Sequence, residues 1–145
     1  SGTFDYFTDE INGEEGASRT DYTPSEDDNV IVQGVQGAKG ALGYFGYTYF
    51  EENQDKLRGT KIDGVEPTYD TISSGKYAPS RPLYFYVKKA HIGVIPGLKE
   101  YIEFFVSDDM AGPDGPLAAY GLVSDPELAA TQAAVAAETP MGPLE

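Results

Sequence analysis

A chain of 145 residues with 40% hydrophobic content is long enough for one core, or for parts of two lobes. Its formal net charge of -14 argues against nucleic acid and anionic membrane surfaces as partners, since both are held by Lys and Arg neutralising phosphates. The absence of Cys removes disulfides, zinc–thiolate sites and thiol catalysis, and no apolar run nears the roughly 20 residues that span a bilayer. A small anion is still admissible, because backbone N–H dipoles act at about 3 Å while surface carboxylates beyond about 8 Å are screened. The start lacks Met and a cleavable signal, so the expectation is a processed or truncated piece with no membrane insertion of its own.

Phe4, Phe7 and Ile11 recur at three- and four-residue steps, which predicts a helix over about Gly2 to Ile11, stopped by Asn12-Gly13. With Ser1 as N-cap, Gly2, Thr3 and Phe4 form a first turn whose backbone N–H groups have no intrahelical partner. The hydroxyls of Ser1 and Thr3 beside those groups, at the positive end of a helix dipole, suit a tetrahedral oxyanion, and Gly2 lets a ligand reach the backbone. Taken alone, the tripeptide reads more simply as an ordinary cap, since Ser, Gly and Thr are common at helix starts. Gly13 to Pro24 is a polar loop carrying Arg19. The Arg19 guanidinium fork suits two phosphate oxygens, and equally a surface ion pair with Asp21 or Glu15.

Ser25-Glu26-Asp27-Asp28-Asn29 leads into Val30, Ile31 and Val35, a short apolar helix with acidic dipole compensation that ends near Gly37. Ala41 to Tyr47 reads as a buried strand with glycines where another backbone packs closely. Tyr49 to Leu57 is an exit turn or short helix, and Asp63-Gly64 between Ile62 and Val65 signals a hairpin. Pro67 to Ser74 forms a short helix ended by Gly75. Lys76 to Pro82, with two prolines forcing extended backbone, is a crossing between structural units. Leu83 to Val87 is the strongest strand in the chain. Gly97 to Ser107 is an amphipathic helix with Leu98, Tyr101, Ile102 and Phe105 on one face. A Gly/Pro-rich turn from Gly112 to Pro116 follows, and a last helix starts at Asp125-Pro126 and runs to about Ala137. The tail from Thr139 is expected to fray.

Nucleophilic hydrolysis finds no support: His91 is the single histidine and no G-x-S-x-G elbow occurs. Asp108-Asp109 and Asp27-Asp28-Asn29 are adjacent rather than alternating, so neither makes a calcium loop, and no phosphate-cradling P-loop is present. No metal site and no cofactor are expected. What remains is an anion site built from Ser1, Gly2 and Thr3, with Arg19 as a possible counter-charge.

Four segments then carry a resemblance in order: Ser1-Gly2-Thr3-Phe4-Asp5-Tyr6-Phe7, Ser25 to Val30, Gly40 to Tyr47, and Ser80 to Lys89. Together they resemble the C-terminal half of phosphate-binding proteins of the PstS type, the soluble receptors of the phosphate ABC transporter. The resemblance implies an α/β, type II periplasmic-binding-protein architecture in which two lobes close on the ligand. Residues 1–79 would be the later part of lobe 2, and residues 80–145 the hinge crossing and the C-terminal part of lobe 1. Ser1, Gly2 and Thr3 would bind phosphate through hydroxyl and N–H groups. An arginine that members of the family often carry a few residues before the Ser-Gly-Thr is not in this sequence, so Arg19 is the expected substitute. The implied function is non-enzymatic: capture of inorganic phosphate in the periplasm or outside the cell, and delivery to an ABC-transporter permease. The first-lobe ligands, including a carboxylate that accepts a hydrogen bond from protonated phosphate, would come from a companion chain carrying the N-terminal half. Sulfate or molybdate binding, or an adhesion or structural module on the same fold, are the alternatives.

Overall fold

The computed structural model describes residues 2–140 and 142. Ser1, Met141 and residues 143–145 lie outside the described residues, and with them the expected N-cap and part of the expected frayed tail.

The first helix, α1, spans Gly2–Asn12, and Gly13 ends it with φ 78, in the left-handed region where a side chain is strained. Within α1, Thr8 is 1% exposed and Phe7 stacks on Tyr44 with ring centroids 4.0 Å apart. The second helix, α2, covers Asp28–Gly37, and the Asp27 carboxylate caps it by accepting from the Asn29 N–H at 2.9 Å. Its apolar face holds the expected Val30, Ile31 and Val35, but the fully buried member is Val32.

From Ala41 to Gly46 the expected strand is absent: the segment is irregular and then enters α3, Tyr47–Glu51. A strand exists only through a neighbour that takes its backbone hydrogen bonds, and no described segment pairs with this one. The expected close approach at glycine is nevertheless present. A Cβ on Gly43 would stand 2.7 Å from Val35 Cγ2 and 3.0 Å from Ile31 Cγ2, so the segment lies directly on the side chains of α2.

The hairpin at residues 62–65 forms as the Asp-Gly step requires. Asp63 and Gly64 take φ 50 and 81, and Ile62 and Val65 exchange two backbone hydrogen bonds of 3.0 and 2.9 Å. Helix α4, Tyr69–Ser73, opens with a reciprocal cap between Thr68 and Thr71, one residue later than Pro67 suggested.

Residues 81–88 carry no strand either, contrary to the strongest sequence expectation. The stretch is extended, Leu83 and Tyr86 are 66% and 69% exposed, and the cause is the same: no described backbone lies alongside. Within it Phe85 is anchored, stacking on Phe105 of the next long helix at 4.4 Å. Among the described residues the α/β expectation is therefore met on its helical side only, the β side being one isolated bridge.

After a 3-10 turn at Lys89–His91, helix α5 runs Leu98–Phe105, with Ile102 buried within it, Val106 buried just past its end, and Tyr101, assigned to the apolar face, 54% exposed. Short helices α6 (Asp108–Ala111) and α7 (Pro116–Ala119) pack on each other, and α8 (Leu128–Ala136) packs on α5. The Asp125 carboxylate accepts from the Glu127 N–H at 2.8 Å, but it does not cap the helix as expected: α8 starts at Leu128, with Glu127 at the N-cap position and no side-chain cap bond. One contact between the later part of the chain and the first is Ser124, whose N–H donates to the Tyr69 hydroxyl at 3.3 Å and whose carbonyl accepts from Ser73 Oγ at 3.2 Å.

Candidate functional site

The start of α1 is open. Gly2 and Thr3 are exposed in the first turn, where N–H groups of a helix lack intrahelical acceptors. Helix α1 is held by its own side chains below that turn. Thr8 Oγ1 donates to the Phe4 carbonyl at 2.8 Å and accepts from the Gly16 N–H at 2.8 Å, tying the following loop to the helix. Phe4 stacks on Tyr22 at 6.2 Å, fixing the far end of that loop.

Arg19 does not reach into this turn. Its Nε and Nη2 donate to the two carboxylate oxygens of Asp21 at 2.7 and 2.6 Å, and the pair is 83% and 67% exposed. The pairing raises the Arg19 pKa and lowers that of Asp21, each through the hydrogen bonds they share. Of the two uses open to Arg19, the surface ion pair is the one formed.

A different arginine stands at the helix start. If Gly2 carried a Cβ, it would lie 3.2 Å from Arg81 Nη2 and 3.6 Å from Nη1, so the guanidinium occupies the space a side chain would take. Its central carbon sits 5.3 Å from the centroid of the Tyr6 ring, within cation–π range. Among the described residues Arg81 has no carboxylate partner. The Tyr6 hydroxyl continues the grip on this segment by donating to the Ser80 carbonyl at 3.2 Å. Burial, then the nearby Glu10 carboxylate, push the Tyr6 phenol above its ordinary pKa, while Arg81 opposes them. Tyr6 is thus a neutral donor and a ring platform at any physiological pH.

Beside Arg81, Ser80 Oγ is shut off from solvent and has no hydrogen-bond partner among the described residues. Sequence reasoning passed over Ser80 and Arg81 because it assigned them to the crossing alone. The available signal was a basic residue held between Pro79 and Pro82, whose backbone is confined on both sides. The structure therefore sets a guanidinium against Gly2 in the first turn of α1, where Thr3 is also exposed.

No group of His, Asp or Glu capable of holding a metal occurs among the described residues, and His91 lies exposed in its 3-10 turn. None of the described helices is long and apolar enough to cross a membrane.

Residues 1–109 match a family model described as a PBP superfamily domain. The chain is 41% identical over 116 residues to Protein SphX of Synechocystis sp., a match covering 77% of this chain and 34% of that protein. It is 39% identical over 112 residues to Phosphate-binding protein PstS of Staphylococcus haemolyticus, covering 74% of this chain and 34% of that protein. Protein SphX of Synechococcus elongatus is 36% identical over 119 residues, covering 74% and 33% respectively. The chain thus spans about a third of the length of the curated relatives it matches. No solved structure matches it at a significant level.

Proposed function

The chain belongs to the PBP superfamily, and from that membership we propose that it is the later part of a receptor that captures inorganic phosphate and hands it to an ABC-transporter permease. The observation that carries this reading is the open first turn of α1, with Gly2 and Thr3 exposed and a guanidinium against Gly2. The similarity to a protein named phosphate-binding protein PstS supports phosphate as the anion. Hydrogen bonds from N–H groups and hydroxyls to a dehydrated oxyanion are charge-assisted, and at a helix start they cost no reorganisation. Ser1, Gly2 and Thr3 are the proposed ligands. Arg19 joins them only by exchanging the Asp21 carboxylate for phosphate, an exchange of one anion for another.

In this reading residues 1–79 form the later part of the second lobe, and residues 80–145 the hinge crossing and the C-terminal part of the first. The opposing ligands come from residues outside this sequence, among them a carboxylate that accepts from protonated phosphate and so rejects fully ionised sulfate. Phosphate touches both lobes only when they close, which supplies the differential affinity that any shift toward the closed state requires. No bond is made or broken, so the protein is a receptor rather than an enzyme. It works in the periplasm or at the outer face of the cell.

Titration calorimetry on the intact protein tests the reading. Phosphate is expected to bind at least a hundredfold tighter than sulfate, and Thr3→Ala to weaken phosphate by about tenfold, the worth of one hydrogen bond to a charged group. A chromogenic phosphate ester should remain unhydrolysed. Preference for sulfate or molybdate would reassign the ligand, and heat from none of these anions would leave a structural or adhesive module.

A further inference from the structure

We propose that Arg81 supplies the counter-charge of the anion site at the start of α1, and so ties ligand occupancy to the crossing segment itself. This rests on the phosphate-receptor reading above. Two independent observations support it.

The first is electrostatic. A helix start is positive, and a guanidinium placed against Gly2 is a second positive charge at the same place. Two like charges are held together there with no described carboxylate partner for the arginine. A dianion seated against both converts the repulsion into attraction on either side. The second is positional. Pro79 and Pro82 restrict the backbone around Ser80 and Arg81, the Tyr6 hydroxyl holds the Ser80 carbonyl at 3.2 Å, and the Tyr6 ring carries the guanidinium 5.3 Å from its centroid. The fork is therefore pre-set rather than searching, as bidentate recognition of phosphate needs. Gly2 completes the account, because a side chain there would press on the guanidinium.

The arrangement has a consequence for coupling. Because the guanidinium on the crossing stands against Gly2 of α1, a phosphate held by both ties the crossing to the helix start. Tyr6 acts as a positioning residue in this, holding the crossing without touching the anion.

The test is calorimetry with inorganic phosphate on the intact protein, alongside thermal melts with and without phosphate. Arg81→Gln is expected to weaken phosphate at least tenfold and to abolish most of the phosphate-induced rise in melting temperature, with the ligand-free melting temperature kept. Arg81→Lys keeps the charge but loses the fork, and should weaken binding three- to tenfold. Arg58→Gln, which removes the same charge from an exposed position outside the site, should stay within twofold of wild type. If Arg81→Gln is too unstable to titrate, Arg81→Lys decides. Phosphate affinity within twofold of wild type in either Arg81 variant overturns the inference while leaving the receptor reading intact. A wild-type protein that binds no phosphate sinks both.

Discussion

At the scale of single residues, Thr8 shows how the site is kept in place from below. Its hydroxyl is both donor to the Phe4 carbonyl and acceptor for the Gly16 N–H, and the side chain is 1% exposed. Val has nearly the same shape and no hydroxyl, so Thr8→Val strands the Gly16 N–H without creating a cavity. The expected loss is about 1 kcal/mol of stability, the low end of the range for an unsatisfied donor because Gly16 itself is exposed. Thr8→Ser, which keeps the acceptor, should cost less than Thr8→Val in urea denaturation; equal costs would show that the methyl group matters and the hydrogen bond does not. The same scale separates the two arginines. From sequence, Arg19 is the expected counter-charge by its placement in a polar loop after the motif helix, and Arg81 is read only as part of the crossing. The preference missed that an exposed arginine two residues from an aspartate finds a partner locally, as Arg19 does with Asp21. Arg81 precedes a proline and has no such neighbour in sequence, so its guanidinium was free to be placed by tertiary structure. Local pairing could be read from the chain, while a contact spanning residues 2 and 81 could not.

At the scale of elements, helices were legible because their determinants are local. The Asp27 cap and the left-handed Gly13 and Gly75 stand where residue type and spacing put them, whereas α4 and α8 start later than Pro67 and Pro126 suggest. Helix α2 adds a charge effect that its cap does not cancel. Three acidic residues crowd its start, and burial first, then Asp27 and Glu26, push the Asp28 carboxyl above its ordinary pKa. A carboxyl whose folded pKa is raised binds its proton more tightly in the folded state, so folding gains where the group is protonated and loses that gain as pH rises through the folded pKa. Asp28→Asn removes the ionisable group. The variant should melt above wild type at pH 7, and the difference should shrink as pH falls below the ordinary carboxylate range. A difference that does not change with pH would mean that the gain comes from helix propensity or capping instead.

At the scale of the whole molecule, the chain is more open than its mass predicts. It exposes 10407 Å², whereas a compact monomer of 15.6 kDa exposes about 7,300 Å². Much of the excess is apolar: Leu42, Leu83, Tyr86, Val94 and Tyr120 are all well exposed, and the fully buried apolar side chains are Val32, Ile102 and Val106 among the described residues. The two segments with the best strand signals, around residues 41–46 and 83–87, are also the two that take no regular structure. Their composition asks for pleated neighbours, and composition cannot say where those neighbours are. Relatives about three times as long provide a natural source, since strands of a sheet pair across large separations in sequence. Hydrogen exchange decides whether that source is real. Amides of residues 83–87 should exchange at near-unprotected rates in the isolated 145-residue chain and slow by at least a hundredfold in the intact protein, whereas those of α5, buried through Ile102, should be protected in both. Equal protection of residues 83–87 in the two samples would mean that this segment gains no partner from the rest of the protein. The crossing at Pro79 to Pro82 would then be followed by a free strap, and its hold on the helix start through Tyr6 and Arg81 would have to come from those two side chains alone.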